Sequence, residues 1–487
     1  MNKEETVIFD RKMLVKLIVP MVIEQLLSVT VGMADMIMVS GAGEEAVSGI
    51  SLVNSINVLL IMVFAAMASG GSVVVSQLLG SGDREKACKG ANQQMMICIL
   101  IAVVVTAAAL VFNRSILVLI YGSVDALVME NAVKYFYITA LSFPFLAVYN
   151  AGSALFRVMG NSHISMFMSV IMNVINVAGN AVFVFGFHMG VEGVACPTLI
   201  SRFVAALVLL VLIRNEKLPV HVDKRLRLGW DGEMLKKIMR IGVPQSLENS
   251  MFQVGKLLTQ SLISGFGTAA IAANACASTV EMLADIPGTA MSLALVTIVG
   301  RCVGAGEYGQ ARNYTGKLIR ITYIFMIVLN MILLLLAQNI AGWYNLTELG
   351  THYAVQLIVY HSICCMLIWP LAFTLASALR SAGDAKFTMT SSVISMWIFR
   401  IVLAYVIAEG MNMGVLGVWI AMTIDWAVRA VLNVTRFLGG RWETKSLVGS
   451  RKPDKRRRHR KQGTGGKEDE NRCGAVGFPG RDLWRKV

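Results

Sequence analysis

Charged side chains are scarce in this sequence. Asp, Glu, Lys and Arg make up 15% of the 487 residues, hydrophobic residues make up 56%, and the mean hydropathy is +0.64. Soluble globular domains carry charge on about a quarter of their residues. The composition therefore excludes a soluble protein and predicts an all-α polytopic membrane protein surrounded by the lipid bilayer.

The sequence also lacks the motifs of several enzyme classes. It contains no GxxxxGK[ST] run, which an ATP-driven motor would need, and no Ser/His/Asp or Cys/His arrangement stands out. No extramembrane segment is large enough for a soluble catalytic domain. We therefore expect no enzyme activity, so any transport has to be driven by an ion gradient or be passive.

Ligands for metals and cofactors are not grouped along the chain. The eight cysteines form neither a CxxC motif nor a disulfide framework, and the six histidines are scattered without metal-ligand spacing. We expect no cofactor and no structural metal. The N-terminus has no small-residue cleavage site after its charged residues, so we also expect no removed signal peptide.

The net charge of +14 is read as a sign of topology rather than of nucleic-acid binding. Much of the charge lies in the tail after about residue 446, and most of the remainder lies in alternate loops. One set of loops includes Arg84, Lys86, Arg157, Arg214, Lys224, Arg225, Arg227, Arg312, Arg380 and Lys386. The other set holds little beyond Arg114 and Lys134. By the positive-inside rule, both termini are predicted to be cytoplasmic in a plasma membrane of the bacterial inner-membrane type.

Hydropathy predicts about twelve transmembrane helices of about 20 to 30 residues each. The predicted spans are roughly 13–38, 46–79, 93–120, 131–155, 163–186, 191–213, 237–264, 270–300, 315–340, 351–378, 387–408 and 414–438. An even number of spans agrees with two termini on the same side of the membrane.

The second half of the chain repeats the first. The displacement that places Pro20 on Pro244, which we call the repeat shift, also places Glu24 on Glu248, Gly80 on Gly304 and Ser153 on Ser377. One residue then slips, because Gly160 aligns with Gly383. Six spans per half predict two six-helix lobes related by an axis along the membrane normal, with the binding region in the cleft between them.

The repeat and the loop composition divide the chain into five parts. These are a cytoplasmic N-terminus (1–12), an N-lobe (13–213), a cytoplasmic linker (214–236), a C-lobe (237–445) and a basic tail that we expect to be disordered (446–487).

The first span carries two acidic residues, Glu24 and Asp35. An ionised carboxylate in hydrocarbon costs several kcal/mol, so such groups usually face a bundle interior or a water-filled cavity. Their spacing is about three helical turns, which puts both on one face. Either these acids serve an ion or substrate pathway, or they only hydrogen-bond to neighbouring helices.

The fifth span carries Asn173, Asn176 and Asn180 on one helical face. Their amide oxygens, together with Asp35 and the Thr198 hydroxyl in the sixth span, are the ligands that a Na⁺ ion needs, and they are equally able to relay protons through water. The alternative is interhelical hydrogen bonding by the amides. For Asn173 this alternative is the preferred interpretation.

The second half keeps only part of this pattern. Glu248 repeats Glu24, but Thr259 stands where the first half has Asp35. We therefore expect a coupling site in the first lobe and expect Glu248 to be free to bind substrate or a proton. Asp425 is a candidate partner for an arginine inside the membrane. The further candidate site residues are Glu24, Gln25, Lys256, Asp285, Arg400 and Asp425.

Several motifs together resemble the multidrug and toxic compound extrusion (MATE) family, with NorM-like and DinF-like members, over residues 10–445. In the first half they read VGMADMIMVSGAGEEAVSGISL, SQLLGSGDREKA and ALFRVMGNS. In the second half they read IGVPQSLEN, GRCVGAGEYGQAR, ALRSAGDAKF and GVWIAMTIDWAVRA. The resemblance implies two six-helix lobes around a V-shaped cleft, and antiport of organic cations, drugs or dyes against Na⁺ or H⁺.

The resemblance also implies which residues carry coupling. Asp35 resembles the first-helix aspartate of the family's N-lobe cation site, Asn176 its fifth-helix asparagine and Thr198 its sixth-helix threonine. Asn180 stands where many members have an aspartate. In the C-lobe, Glu248 resembles the seventh-helix glutamate of the NorM-like site. Trp369 replaces the tenth-helix aspartate of that site, so a complete cation site is not expected there.

The leading function is thus a cation-coupled exporter of small organic cations, working as a monomer and without a nucleic-acid partner. One alternative is a flippase for a lipid-linked precursor, as in the related superfamily. Such a flippase would need several cationic residues in its cleft. The other alternative is a membrane scaffold that does not transport and acts through the basic tail.

Overall fold

The computed structural model describes residues 8–39, 44–122, 125–223, 229–344 and 346–448, without the side chains of residues 31, 33–37, 39 and 44. All of these residues lie in the first of two units, Met1–Val448. Asp35 belongs to the backbone of the first helix, but its side chain lies outside this description, as do Lys224, Arg225, Arg227 and the predicted tail from residue 449 onwards.

The described residues form helices and contain no strand. The N-lobe helices are α1 (Arg11–Val39), α2 (Glu44–Gly80), α3 (Arg84–Val111), α4 (Asn113–Tyr121), α5 (Ala126–Leu141), α6 (Phe143–Val158), α7 (Ser162–Asn180) and α8 (Val191–Ile213). The C-lobe helices are α9 (Gly232–Ser264), α10 (Thr268–Ala284), α11 (Ile286–Gly304), α12 (Tyr308–Leu335), α13 (Ala337–Trp343), α14 (Glu348–Trp369), α15 (Leu375–Ser381), α16 (Ala385–Ser395), α17 (Leu403–Tyr405) and α18 (Gly414–Leu438). Wider π-helical turns are present at Ala181–Gly186, Pro370–Thr374, Met396–Val402 and Val406–Gly410.

Ten helices among the described residues are long and apolar enough to cross a membrane, and the bent pair α5 and α6 gives an eleventh candidate. This confirms an all-α polytopic membrane protein. The count is below the predicted twelve because α9 is not among these candidates. Polar residues occur along the whole of this 33-residue helix, from Lys236 and Lys237 in its first turns to Glu248 and Lys256 farther on, although it is the repeat counterpart of α1.

Two of the predicted spans are broken by proline. The fourth span bends by 44° between α5 and α6, where Pro144 occupies the first turn of α6. The eighth is divided between α10 and α11 at Asp285, followed by Pro287 in the first turn of α11. Proline has no amide hydrogen and clashes with the preceding turn, so a continuous helix is disfavoured at both positions.

The two lobes meet where α2 crosses α11. A Cβ atom added to Gly80 would lie 2.1 Å from the carbonyl oxygen of Arg301, and one added to Gly304 would lie 1.9 Å from that of Gln77. The repeat shift relates Gly80 to Gly304 and Gln77 to Arg301. The crossing is therefore pseudo-symmetric, and only glycine allows the two backbones to approach this closely.

Side chains at the same crossing reach across to the opposite lobe. Gln77 donates a hydrogen bond to the Ser381 carbonyl oxygen at 2.8 Å, and Arg301 donates one to the Val158 carbonyl oxygen at 2.7 Å. These bonds lie next to the loops that begin at residues 81 and 305. The lobes are thus tied together at the end of the bundle that carries these loops.

Both ends of the described chain cross to the opposite lobe. Phe9 packs edge-on against Tyr314 at 5.9 Å and exchanges backbone hydrogen bonds with its hydroxyl group, while Leu17 and Met21 belong to the same C-lobe core cluster. At the other end, the Leu447 amide donates to Gln77 Oε1 at 2.9 Å. Residues 446–448 are therefore packed against the N-lobe.

We predict that Gly304→Ala destabilises the protein by about 1 to 3 kcal/mol, because the added methyl group overpacks the lobe crossing. The midpoint of thermal unfolding of the protein in detergent would measure this loss.

Gly309→Ala is the matched control, since a Cβ atom at Gly309 meets nothing within 4 Å. It is expected to leave the midpoint unchanged or to raise it slightly. Equal midpoints for Gly304→Ala and the unmodified protein would contradict close packing at the crossing.

Candidate functional site

The three described members of the predicted coupling site are brought together. Asn176 on α7 donates to the Thr198 hydroxyl on α8 at 3.0 Å, and Asn180 donates to the Asn176 amide oxygen at 3.4 Å. Asn176 is 7% exposed and Asn180 is fully buried. We call these three residues the amide cluster. It collects two amide oxygens and one hydroxyl oxygen inside the N-lobe.

The geometry of α7 and α8 explains why the cluster forms. A Cβ atom at Gly179 would lie 2.6 Å from the ring of Pro197, so glycine at this position allows the two helices to approach closely. Directly after Asn180, the chain changes from α-helix to the π-helical turns of Ala181–Gly186. Such wide turns often occur at functional sites because they redirect side chains.

Helix α1 packs along α7, so the backbone of the helix that bears Asp35 lies against the helix that bears the amide cluster. Gln25, another candidate on α1, is partly buried. The position of the Asp35 carboxylate lies outside the described residues, and its inclusion in the site stays a prediction.

Glu24 forms an ion pair inside the N-lobe. Its carboxylate lies 3.0 Å from Nη1 of Arg157 on α6 and accepts a hydrogen bond from the Ser165 hydroxyl at 2.9 Å. The two charged side chains are 8% and 14% exposed. The arginine thus neutralises a buried acid, as a low-dielectric environment requires.

Glu248 forms the matching ion pair in the C-lobe. Both of its oxygens lie within 3.2 Å of Arg380 Nη1, and Ser392 donates to it at 2.8 Å. Glu248 is therefore paired with Arg380 in this structure, and its binding of substrate or a proton stays a prediction. The positive-inside rule placed Arg157 and Arg380 in cytoplasmic loops. The structure instead places them within α6 and α15, each after the repeated Ala-Leu motif.

A cavity of about 80 Å³ lies between the lobes near the α2–α11 crossing. It is lined by Ser69 and Ser72 of α2, Asn150 and Arg157 of α6, and Leu293 and Val296 of α11. Arg157 is therefore the member of the N-lobe ion pair that faces the space between the lobes.

The C-lobe contains a second, more polar cavity of about 90 Å³. Two of its lining residues, Thr259 and Met422, are the repeat counterparts of Asp35 and Thr198. The cavity therefore occupies the place in the C-lobe that the predicted coupling site occupies in the N-lobe.

Charged side chains line this cavity beside the amides of Gln260 and Asn274. Lys256 and Glu281, on α9 and α10, approach each other to 4.0 Å, and Arg400 lines the same cavity while its guanidinium carbon lies 4.8 Å from the Phe252 ring centroid. Glu281 is a partner that the sequence did not assign to Lys256. The C-lobe cavity therefore contains its own tethered cations.

Asp425 is the partner of Arg429. The two side chains lie 2.8 Å apart on α18, and Ser395 donates to the same carboxylate oxygen at 2.6 Å. The prediction that Asp425 neutralises an arginine in the membrane is thus correct for Arg429. Among the described residues, no carboxylate lies within ion-pair distance of Arg400.

Comparison with known proteins identifies the family that has this architecture. The MatE family model matches residues 20–182 and again residues 244–406. Both bounds of the second match follow from those of the first by the repeat shift, so the family model recognises the same duplication as the sequence pattern.

Individual proteins agree with the family match. The chain is 27% identical over 456 residues to the "Probable multidrug resistance protein NorM" of Thermotoga maritima, covering 90% of this chain and 94% of that protein. Its fold is similar to a multidrug resistance MATE family transporter in an outward-facing conformation, with a TM-score of 0.83 and 21% identity over 90% of this chain and 96% of that one. A MATE structure in a bent conformation gives a TM-score of 0.81 at 21% identity, with the same coverage of each chain.

These matches cover both lobes and confirm the resemblance that the sequence motifs indicated. The protein belongs to the MatE family of multidrug efflux transporters.

Proposed function

We propose that the protein is a secondary active antiporter that exports organic cations, including drugs, in exchange for Na⁺ or H⁺. The observation that carries this proposal is the amide cluster of Asn176 and Asn180 on α7, which packs along α1, and Thr198 on the neighbouring α8. Its oxygens are ligands suited to a hard cation or to a proton relay. Multidrug resistance in the name of the NorM relative supports a drug-like substrate.

The charge of the site favours a monovalent coupling ion. Asn180 brings no charge, so Asp35 is the one carboxylate among the proposed ligands. A single positive charge, from Na⁺ or a proton, neutralises it completely. Neutral sites are favoured inside the membrane because an unbalanced buried charge is costly.

Helix α1 connects the site to the lobe crossing. Its first half, with Leu17 and Met21, packs into the C-lobe core, whereas the helix also packs along α7 in the N-lobe. A change in the position of α1 on ion binding would therefore alter the packing between the lobes. Such a mechanical link is what alternating access requires.

The closed end of the bundle lies beside the basic loops. We propose that this end faces the cytoplasm, following the positive-inside rule. We further propose that the transporter works as a monomer in a plasma membrane of the bacterial type.

In the proposed mechanism, the two glutamates that form ion pairs have a structural role. Glu24 and Glu248 are each neutralised by an arginine of the same lobe, so they hold α1 and α9 in place. The same pairing argues against the flippase alternative, since the positive charge of Arg157 in the interlobe cavity is balanced by Glu24.

The first prediction from this proposal concerns coupling. We expect Asp35→Asn to abolish uptake of a cationic dye into inside-out vesicles, because the site then binds no cation. Asn176→Ala should reduce uptake severalfold by removing one oxygen ligand. The assay uses imposed Na⁺ and proton gradients separately, and the gradient that drives the unmodified protein identifies the coupling ion.

Asn173→Ala is the matched control on the same helix, one turn before Asn176, and it should transport normally. Uptake by Asp35→Asn equal to that of the unmodified protein would refute the N-lobe site. No uptake by the unmodified protein under either gradient would refute antiport of this substrate class.

The second prediction concerns the ion pairs. Glu24→Gln alone should lower stability by about 3 to 5 kcal/mol, since it leaves Arg157 as an unpaired buried charge. The double variant Glu24→Gln/Arg157→Gln should recover much of this loss. Unfolding midpoints of the two single variants and the double variant in detergent give the coupling energy.

Additive losses in these three variants would show that the pair is not an anchor. A fully stable Glu24→Gln protein that fails to transport would instead assign Glu24 to the transport pathway.

The third prediction separates transport from a role of the tail. A chain ending at Val448 should transport normally, because it keeps every described contact within and between the lobes. A chain ending at Lys445 should be less stable, because it loses the hydrogen bonds of Ser446 and Leu447 to Gln77. Loss of dye uptake in the first truncation at unchanged stability would favour a role that depends on the tail.

A further inference from the structure

A second cluster of ligand groups lies in the C-lobe, away from the amide cluster. Asp285 is at the break between α10 and α11, and His361 and Cys365 follow one helical turn apart on α14. One ligand atom of each residue lies within 4.8 Å of those of the other two. We call these residues the DHC triad.

The buried imidazole of His361 lacks hydrogen bonds. His361 is 1% exposed, and neither of its ring nitrogens has a hydrogen-bond partner among the described residues. Its ring is held edge-on between Trp419 and Trp426 at centroid distances of 5.5 and 5.6 Å. A buried polar group without a partner is costly, so the imidazole is suited to take up a ligand from outside the protein.

The other two members already face one another. The Cys365 sulfur lies 3.6 Å from Oδ1 of Asp285, and Cys365 is fully buried. Ligands at tetrahedral positions on zinc are about 3.3 to 3.8 Å apart, given bond lengths of about 2.0 to 2.3 Å. The triad therefore needs only small side-chain adjustments to enclose a metal ion.

We propose that Asp285, His361 and Cys365 bind one divalent cation of the Zn²⁺ class. Thiolate and imidazole ligands favour zinc over the hard ions Na⁺ and Mg²⁺, and three protein ligands leave a fourth position for water. One thiolate, one carboxylate and a neutral imidazole balance the two positive charges. On binding, the Cys365 S–H bond breaks, a metal–sulfur bond forms, and the proton passes to the buffer.

The polar C-lobe cavity provides an entry path. Glu281 lines this cavity and lies in the last turn of α10, four residues before Asp285, which follows the helix directly. Trp419, which contacts the His361 ring, lines it as well. A cation that enters the cavity thus meets one carboxylate before it reaches the triad.

The site is specific to the second half of the chain. The repeat shift pairs Asp285 with Ile61, which cannot ligate a metal. His361 and Cys365 are four residues apart, a spacing that puts two ligands on one helical face. The expectation that no histidine has metal-ligand spacing overlooked this pair, because the third ligand comes from a distant helix.

The test uses the full chain in detergent, with its affinity tag removed and its thiols reduced. Titration with Co²⁺, a spectroscopic probe for zinc sites, should show one equivalent bound with a thiolate-to-cobalt charge-transfer band. Zn²⁺ should displace the probe, whereas excess Na⁺ should not. Absence of the charge-transfer band in the unmodified protein would overturn the proposal, whatever the variants show.

Variants assign the ligands. Cys365→Ser should remove the band and weaken binding at least about 10-fold, whereas the neighbouring Cys364→Ser is the matched control and should retain both. His361→Phe keeps an aromatic ring between the two tryptophans and should also weaken binding. An unchanged band in Cys365→Ser would refute the site. This binding readout does not depend on transport, so its outcome is separate from that of the antiport proposal.

Discussion

An ionised carboxylate inside this helix bundle is costly without a partner, because hydrocarbon supplies no water to solvate it. The structure meets this constraint in each lobe with one glutamate and one arginine on different helices. In both lobes, the glutamate lies on the opening helix, four residues after a proline, and the arginine follows the same Ala-Leu motif. The pairs therefore fix the opening helix of each lobe to the rest of that lobe and define the frame on which the sites are built.

Pseudo-symmetry continues at the lobe crossing. Gly80 leaves room for the Arg301 carbonyl group and Gly304 for that of Gln77, and the side chains of Gln77 and Arg301 bond to equivalent carbonyl groups across the interface. Because one arrangement is used twice, the crossing is balanced about the pseudo-twofold axis. Opening this end would break both hydrogen bonds together, which favours a two-state change over gradual separation of the lobes.

The sequence allowed the helices and the two lobes to be predicted better than the side-chain pairs between helices. Repeat spacing and hydropathy predicted two helical lobes, and the periodicity of Asn176 and Asn180 predicted that these side chains meet. The partners of the glutamates were missed, because a basic residue near a helix end is typical of a cytoplasmic loop under the positive-inside rule. The DHC triad was missed because its members are brought together by a break between two helices, which hydropathy cannot reveal. In each case the missing information was the packing of distant helices.

The two lobes share a frame but differ in the chemistry they enclose. At the position of the N-lobe amide cluster, the C-lobe has a cavity lined by Lys256 and Arg400. Lys256 there already balances the charge of Glu281, so the cavity has no unpaired carboxylate to hold a monovalent coupling cation. Under the proposed antiport mechanism, coupling is therefore limited to one monovalent cation per cycle, bound in the N-lobe. We expect its effect to reach the interface through α1, because α1 carries Asp35 and packs on both lobes, as its repeat counterpart α9 also does.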